Sequence, residues 1–278
     1  LSRRNNLERL GAPQPDAPAP PTSEATDLFA FVNPTEFVEL PSKGLFYPEG
    51  HPLHNQTVIE IKHMTAKEED ILTSEALLRN GLAIDRLLES VIIDNNIKVD
   101  DLLLGDKSAI LIATRVTGFG PFYDVSAPCP SCGKESDYTF DLNELKARDN
   151  ELPEEVRVEG QGIFSFELPV SKVRIYVRLL TSRDEKKITS LIGGSDGNAS
   201  PITGLIKSIV VQANEHTDPK LLSKFVESMP LPDVKHLRNI YDVIKPDLDL
   251  RFDITCPHCH EEGKVGMPMT AAFFWPNS

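Results

Sequence analysis

The sequence predicts an α+β fold of two similar, duplicated lobes joined by a shared metal ion. Three features predict it. A strand pattern running into a threonine-capped helix occurs at Val58–Ser74 and again at Val173–Ser190. Amphipathic helices follow each copy. Each copy then closes on a strand, a Cys-x-x-Cys pair and a second strand.

Taken in order, residues 1–30 form a separate class of sequence. Pro13, Pro15, Pro18, Pro20 and Pro21 stand among Ala, Ser, Thr and Asp, a composition that favours an extended arm over a packed element. Ahead of them, Asn5–Leu10 offers one or two amphipathic turns, too short to be stable alone but suited to docking on a neighbouring subunit. No apolar core of a signal peptide is present in this stretch.

The first lobe is expected over 31–148. Val58–Met64 alternates as a half-buried strand and ends at Thr65, an N-cap with Glu68 three residues on to complete a capping box. The run Glu68, Glu69, Asp70 is explained by that cap and by the helix dipole rather than by acid–base chemistry. Helices are expected over Leu82–Ile92 and Asp106–Val116. Gly118-Phe119-Gly120-Pro121 is a turn without a phosphate-loop lysine, leading into the strand before the first cysteine pair. Residues 149–169 are expected to be a connector with one short strand, Gly162–Leu168.

The second lobe, 170–278, repeats the scheme. Val173–Leu180 is the strand, Thr181 and Asp184 the capping pair, and Ile202–Val211 and Asp233–Ile244 the helices, with a loop over Gly193–Asn198. Phe273-Phe274-Trp275-Pro276 is either an aromatic anchor at an interface or packing on its own domain.

Composition narrows the function. The 278 residues carry 29 Lys and Arg against 42 Asp and Glu, a formal charge of −13 that repels phosphate backbones and anionic lipid surfaces. No run approaches the ~18 apolar residues of a membrane span. The four cysteines all lie in Cys-x-x-Cys pairs, which favours metal ligation in a reducing compartment over disulfides.

The pairs are Cys129-Pro130-Ser131-Cys132-Gly133 and Cys256-Pro257-His258-Cys259-His260. Both read as zinc knuckles, in which two intervening residues turn successive thiolates toward one cation. One knuckle supplies two ligands and a structural site wants four. A single Zn2+ bound by Cys129, Cys132, Cys256 and Cys259 is therefore the economical solution. The separation between Cys132 and Cys256 is too long for a simple zinc ribbon, and duplication accounts for it if equivalent hairpins meet near a pseudo-twofold axis. The alternatives are buried free thiols, a set in which His258 or His260 replaces a cysteine, and a redox pair. The last usually sits at a strand-to-helix junction, whereas these lie between strands. His51-Pro52-Leu53-His54 lacks a third ligand. Four cysteines close the coordination sphere, so the zinc is structural, and the acidic surroundings of the second knuckle disfavour nucleic acid.

Glu39-Leu40-Pro41-Ser42-Lys43-Gly44-Leu45-Phe46-Tyr47-Pro48 and Glu60–Ser74, together with Cys129–Gly133 and Leu179–Lys186, resemble the base plate proteins of T4-type contractile-tailed bacteriophages. The likeness covers most of 31–190. It implies a non-enzymatic protein of the tail baseplate hub, located in the virion tail and, during assembly, in the host cytoplasm. Its partners would be other baseplate and tail proteins, with the N-terminal arm docked on a neighbour. The alternatives are a transient assembly chaperone absent from the finished particle and a zinc-ribbon regulator that binds nucleic acid.

Overall fold

Runs of strands and runs of helices follow one another from Thr35 onward in the computed structural model of the chain, which describes residues 33–149, 151–193, 201–267 and 273–274. The expected arm over 1–30 and residues 194–198 of the glycine loop lie outside the described residues. Contacts divide the chain after Pro34, and residues 35–278 form one unit.

The α+β class holds. β1 (Thr35–Glu39) pairs antiparallel with β2 (Val58–Lys62), with Val38 opposite Ile59 on the buried face. Helices α1 (Ala66–Thr73), α2 (Glu75–Arg79), α3 (Ala83–Val91) and α4 (Leu104–Phe119) follow. The hairpin β3 (Phe122–Pro128) and β4 (Glu135–Asp141) carries the first cysteine pair. Next come β5 (Arg157–Gly160), β6 (Ile163–Glu167) and β7 (Arg174–Arg178), which join β8 (Val210–Ala213) in an antiparallel sheet ordered β5-β6-β7-β8. Helices α5 (Ser182–Gly193) and α6 (Pro201–Ile209) lie between β7 and β8 in sequence. Finally α7 (Pro219–Ser228) and α8 (Leu231–Ile244) precede the hairpin β9 (Arg251–Thr255) and β10 (Glu262–Gly266).

Two expectations need correction. The short strand expected over Gly162–Leu168 forms as β6, but the stretch 149–169 is more than a connector: it also supplies β5, and Phe164, Phe166 and Leu168 are fully buried. Its Glu, Pro and Gly content masks β5, while Ile163-Phe164-Ser165-Phe166 of β6 packs on both faces of the sheet. The helix expected over 202–211 stops at Ile209, because the β-branched pair Val210-Val211 instead extends the sheet beside β7. Helix α7 was not read from the sequence, although Asp218 caps it by accepting from Lys220 N and Pro219 opens it.

Both strand-to-helix junctions are built alike. At the first, Glu68 is fully buried and accepts from Thr65 N at 2.9 Å, Thr65 Oγ1 at 2.5 Å, Lys62 Nζ at 2.9 Å and Ser90 Oγ at 2.5 Å. Burial alone would raise its pKa, but donation from Ser90, Thr65 and Lys62 outweighs it and holds the carboxyl down at about 2. At the second, Asp184 accepts from Thr181 N at 3.0 Å and Thr181 Oγ1 at 2.9 Å. Arg178 grips the same carboxylate with two 2.8 Å bonds. Burial again opposes, and the Arg178 and Thr181 donors bring Asp184 to about 2.

A second pair of correspondences lies at the starts of α4 and α8. Asp106, fully buried, accepts from Ser42 N at 2.9 Å, Ser42 Oγ at 2.6 Å and Tyr47 Oη at 2.8 Å. Asp233, also fully buried, accepts from Val170 N at 2.8 Å and Ser171 N at 3.0 Å. Lys43 and Lys172, each directly after the serine, have φ of 50° and 54°. Elsewhere, Tyr47 Oη accepts from Leu103 N before α4, and Tyr241 Oη in the last turn of α8 accepts from Leu180 N before α5, both at 3.1 Å.

The two halves meet along α4 and α5. Leu104 N donates to Leu180 O at 3.2 Å and Ser182 N to Leu102 O at 2.8 Å. Around them Lys186 bridges Asp85 and Asp100, Lys107 bridges Asp85 and Glu185, and Arg183 reaches Asp101. Gly105 sits where a Cβ would lie 2.0 Å from Pro246 O, so only glycine allows this approach of α4 to the chain after α8. One continuous apolar core runs through both halves.

Candidate metal centre

The sequence-predicted site residues come together. Each pair occupies the loop of a hairpin, and the two loops share one hydrogen-bond pattern. In the first, Cys129 N donates to Lys134 O at 2.9 Å, Gly133 N to Cys129 O at 2.9 Å, and Ser131 N to Cys129 Sγ at 3.4 Å. In the second, Cys256 N donates to Glu261 O at 3.0 Å, His260 N to Cys256 O at 2.9 Å, and His258 N to Cys256 Sγ at 3.4 Å. The residue after the second cysteine has positive φ in both, 71° at Gly133 and 57° at His260. That turn aims both sulfurs of a knuckle to one side.

Packing between the hairpins sets the distance across. Phe140 of β4 stacks on Phe252 of β9 with ring centroids 4.4 Å apart, and Pro130 lies against Gly263 of β10. As a result Cys129 Sγ stands 3.8 Å from Cys259 Sγ and Cys132 Sγ 3.8 Å from Cys256 Sγ, with all four sulfurs within 4.8 Å of one another. Zinc–sulfur bonds of about 2.3 Å at tetrahedral angles place sulfurs about 3.8 Å apart. Cys129 and Cys256 are buried, while Cys132 and Cys259 face solvent. Such a set suits a soft or borderline cation with a closed coordination sphere.

The electrostatics point the same way. Donation from the Cys259 and His258 amides, against burial, holds the Cys256 thiol down at about 6. The Glu261 amide lowers Cys259, but burial and the sulfurs of Cys256, Cys132 and Cys129 push it up to about 12. Thiols this close cannot all ionise without a cation among them.

Other candidates resolve into structure. His51 and His54 do not converge: Leu53 N donates to His51 Nδ1 at 3.1 Å, His54 Nδ1 bonds Tyr47 O at 2.7 Å, and the His51 ring stacks on Tyr47. His258 and His260 are exposed and stand outside the thiol cluster, the metal-ligating group found among the described residues. In chain order both cysteine pairs lie between strands, not at a strand-to-helix junction. Phe273 and Phe274 are buried on their own body, Phe273 against Tyr123 with centroids 5.2 Å apart; Trp275 and Pro276 lie outside the described residues. Sequence reasoning missed Arg115, whose guanidinium sits 5.2 Å from Tyr123 and 5.5 Å from Phe273 and donates to Gly120 O and Phe122 O, pinning the turn that starts β3. A cavity of about 780 Å³ lies elsewhere, between α4 and α8, lined by leucines together with Lys235, Arg238 and Tyr241.

The sequence pattern of the T4 bacteriophage base plate protein family matches residues 35–275, from the first strand to the aromatic terminus. The chain belongs to this family. No curated protein and no solved structure matches it. Base plate membership places the chain among the structural proteins of a phage tail and points to work other than catalysis. Among the described residues no helix is long and apolar enough to cross a membrane.

Proposed function

We propose that this base plate protein is a non-enzymatic subunit of the hub region of a contractile phage tail, holding neighbouring subunits in register. The observation that carries the proposal is the family match over 35–275. In this reading the two halves derive from an internal duplication, supported by the paired capping carboxylates Glu68 and Asp184 and the paired helix-start aspartates Asp106 and Asp233. A single structural Zn2+ held by Cys129, Cys132, Cys256 and Cys259 clasps the cysteine-bearing hairpin of each half, and bound there it would supply a cross-link in place of apolar area. The cross-link fixes the spacing of docking surfaces on the two halves. The N-terminal arm adds a tethered second contact on a neighbour, raising affinity through effective concentration. The protein would stand in the virion tail, after assembly in the host cytoplasm.

Quantitative mass spectrometry of purified tails tests the role. The chain should be present in fixed ratio to other baseplate proteins and crosslink to them. Abundance in infected cells with absence from purified tails would replace the structural role by that of an assembly chaperone.

A further inference from the structure

β1 is an open edge. Among the described residues β2 is its one ladder partner. Leu40 N donates to Thr57 O at 2.8 Å, which makes Val38/Ile59 and Glu36/Ile61 the hydrogen-bonded pairs of this ladder. The N–H and C=O groups of Thr35, Phe37 and Glu39 therefore point away from β2. Beside that edge runs a groove of about 350 Å³, floored by the α4 stripe Ala109, Ile112, Ala113 and Val116 and walled by Leu142 and Leu145. The Phe37 ring is 66% exposed next to it.

The other half holds the same place filled. β6, followed like β1 by Leu-Pro, has its outer edge covered by β5, with Arg157 opposite Ser165 and Val158 opposite Phe164. Just before β5, Glu155 approaches His236 on α8 at 3.6 Å. His236 stands three residues after Asp233, as Ala109 stands three after Asp106, so the covering segment crosses α8 where the groove crosses α4. Matching β1 to β6 residue by residue sets Phe29–Val32 in the position of β5. The turn between β5 and β6 needs positive φ at both Gln161 and Gly162, 47° and 72°. Pro34 occupies the second of those positions, and a proline φ near −65° forbids the turn. This chain cannot cover its own edge by the same two-residue hairpin.

We propose that Leu28–Val32 of a second copy adds antiparallel to β1, a strand exchange between copies of the chain. The segment Leu28-Phe29-Ala30-Phe31-Val32 is apolar throughout and lies in the stretch between Pro21 and Pro34 that contains neither Pro nor Gly. In the β5 register Phe29 would fall opposite Phe37, and Leu28 and Ala30 would fall opposite Val38 and Glu36. Cross-strand aromatic pairs and the outward backbone groups of β1 would both gain partners. The inference deepens the arm contact proposed above by naming its receptor. It is read on the isolated protein, so its failure and failure of the baseplate role are separate results.

The test is native mass spectrometry of the full chain over a concentration series. The parent should self-associate. Phe37→Pro, which removes an outward donor and leaves the β2 ladder its bonds, and deletion of Leu28–Val32 should each give monomer with the parental melting temperature. An equimolar mixture of the two should regain a one-to-one complex, because one retains the strand and the other the edge. If Phe37→Pro melts low, Thr35→Pro at the strand's first residue takes its place. A parent that stays monomeric, association that survives either change, or a mixture that forms no complex would overturn the proposal.

Discussion

Replacing Asp106 tests why the Leu40–Pro48 segment has its sequence. The carboxylate is fully buried and accepts three bonds, from Ser42 N, Ser42 Oγ and Tyr47 Oη. Asp106→Ala strands three buried donors, each costing about 1–3 kcal/mol, and the hydroxyls recover part by rotating. The expected loss is about 3–5 kcal/mol. Asp106→Asn keeps one acceptor and discards a charge that burial already disfavours, since burial raises the Asp106 pKa despite its donors. It should cost about 1–2 kcal/mol. Tyr47→Phe removes one donor and leaves Leu103 N unpaired, for about 1.5–3 kcal/mol, and its effect should fall short of additive with that of Asp106→Ala. Urea unfolding followed by circular dichroism on zinc-loaded protein gives the values. A loss below about 1 kcal/mol for Asp106→Ala, or equal losses for the Ala and Asn variants, would refute the view that this segment is held by a buried acceptor.

Three further outcomes are expected. Glu68 has a folded pKa of about 2, below its unfolded value, so its contribution is complete above about pH 4.5 and is lost as the pH falls toward 2; the stability of Glu68→Gln should therefore lie below that of the parent at neutral pH and converge with it in acid, read from urea midpoints. The purified chain should contain one zinc per molecule, and Cys256→Ser or a strong chelator should remove it and lower the melting temperature; unchanged melting after metal loss would count against a structural clasp. Gly105→Ala should destabilise by about 1–3 kcal/mol by driving a Cβ into Pro246 O, whereas Gly204→Ala on α6, where a Cβ meets nothing within 4 Å, should be neutral or gain up to about 1 kcal/mol in thermal unfolding.

What the sequence revealed followed from how local each signal is. Thr65 with Glu68 and Thr181 with Asp184 are contacts three residues apart, and the structure forms both. The knuckles were legible for the same reason, since each loop closes on itself through Cys129 N to Lys134 O and Cys256 N to Glu261 O. The meeting of the hairpins depends on Phe140 stacking on Phe252, a contact that no local pattern encodes; the need for four ligands and the repeated strand–helix scheme suggested it. β5 went unread because its neighbours are acidic and rich in Gly and Pro; the strand over Gly162–Leu168 was legible, but the burial of Phe164 and Phe166 is decided by the strand and helices packed on it. The Lys62 and Ser90 bonds to Glu68 and the Tyr47 bond to Asp106 are likewise long-range. The resemblance block Glu39–Pro48 is thus distinctive as wording for a physical reason outside itself: Ser42 and Tyr47 are there to satisfy Asp106, and a Cβ at Gly44 would lie 2.4 Å from Gln56 N.

The site where a metal is proposed is also where the fold has least else to offer. The β3–β4 and β9–β10 hairpins are two-stranded, and two-stranded hairpins are marginal in water without further packing. Between β3 and β4 the exposed Asp124, Asp137 and Ser126 face solvent, and toward the loops burial is confined to Ala127, Cys129, Ile254, Cys256 and Val265. Apolar area at about 25 cal/mol per Å² cannot come from side chains this small and few. Four thiolates around one cation can stabilise such hairpins without enlarging the core. At the opposite end, around α4 and α5, the halves are joined by apolar contacts, two backbone hydrogen bonds and the Asp85, Lys107 and Lys186 network. Loss of zinc should therefore loosen the hairpins before it parts the halves. Hydrogen exchange on metal-free protein should show early exposure of amides at 123–140 and 251–266 while Leu104, Ser182 and the α4 amides stay protected. Simultaneous loss of protection in both regions would mean that the clasp holds the whole body together.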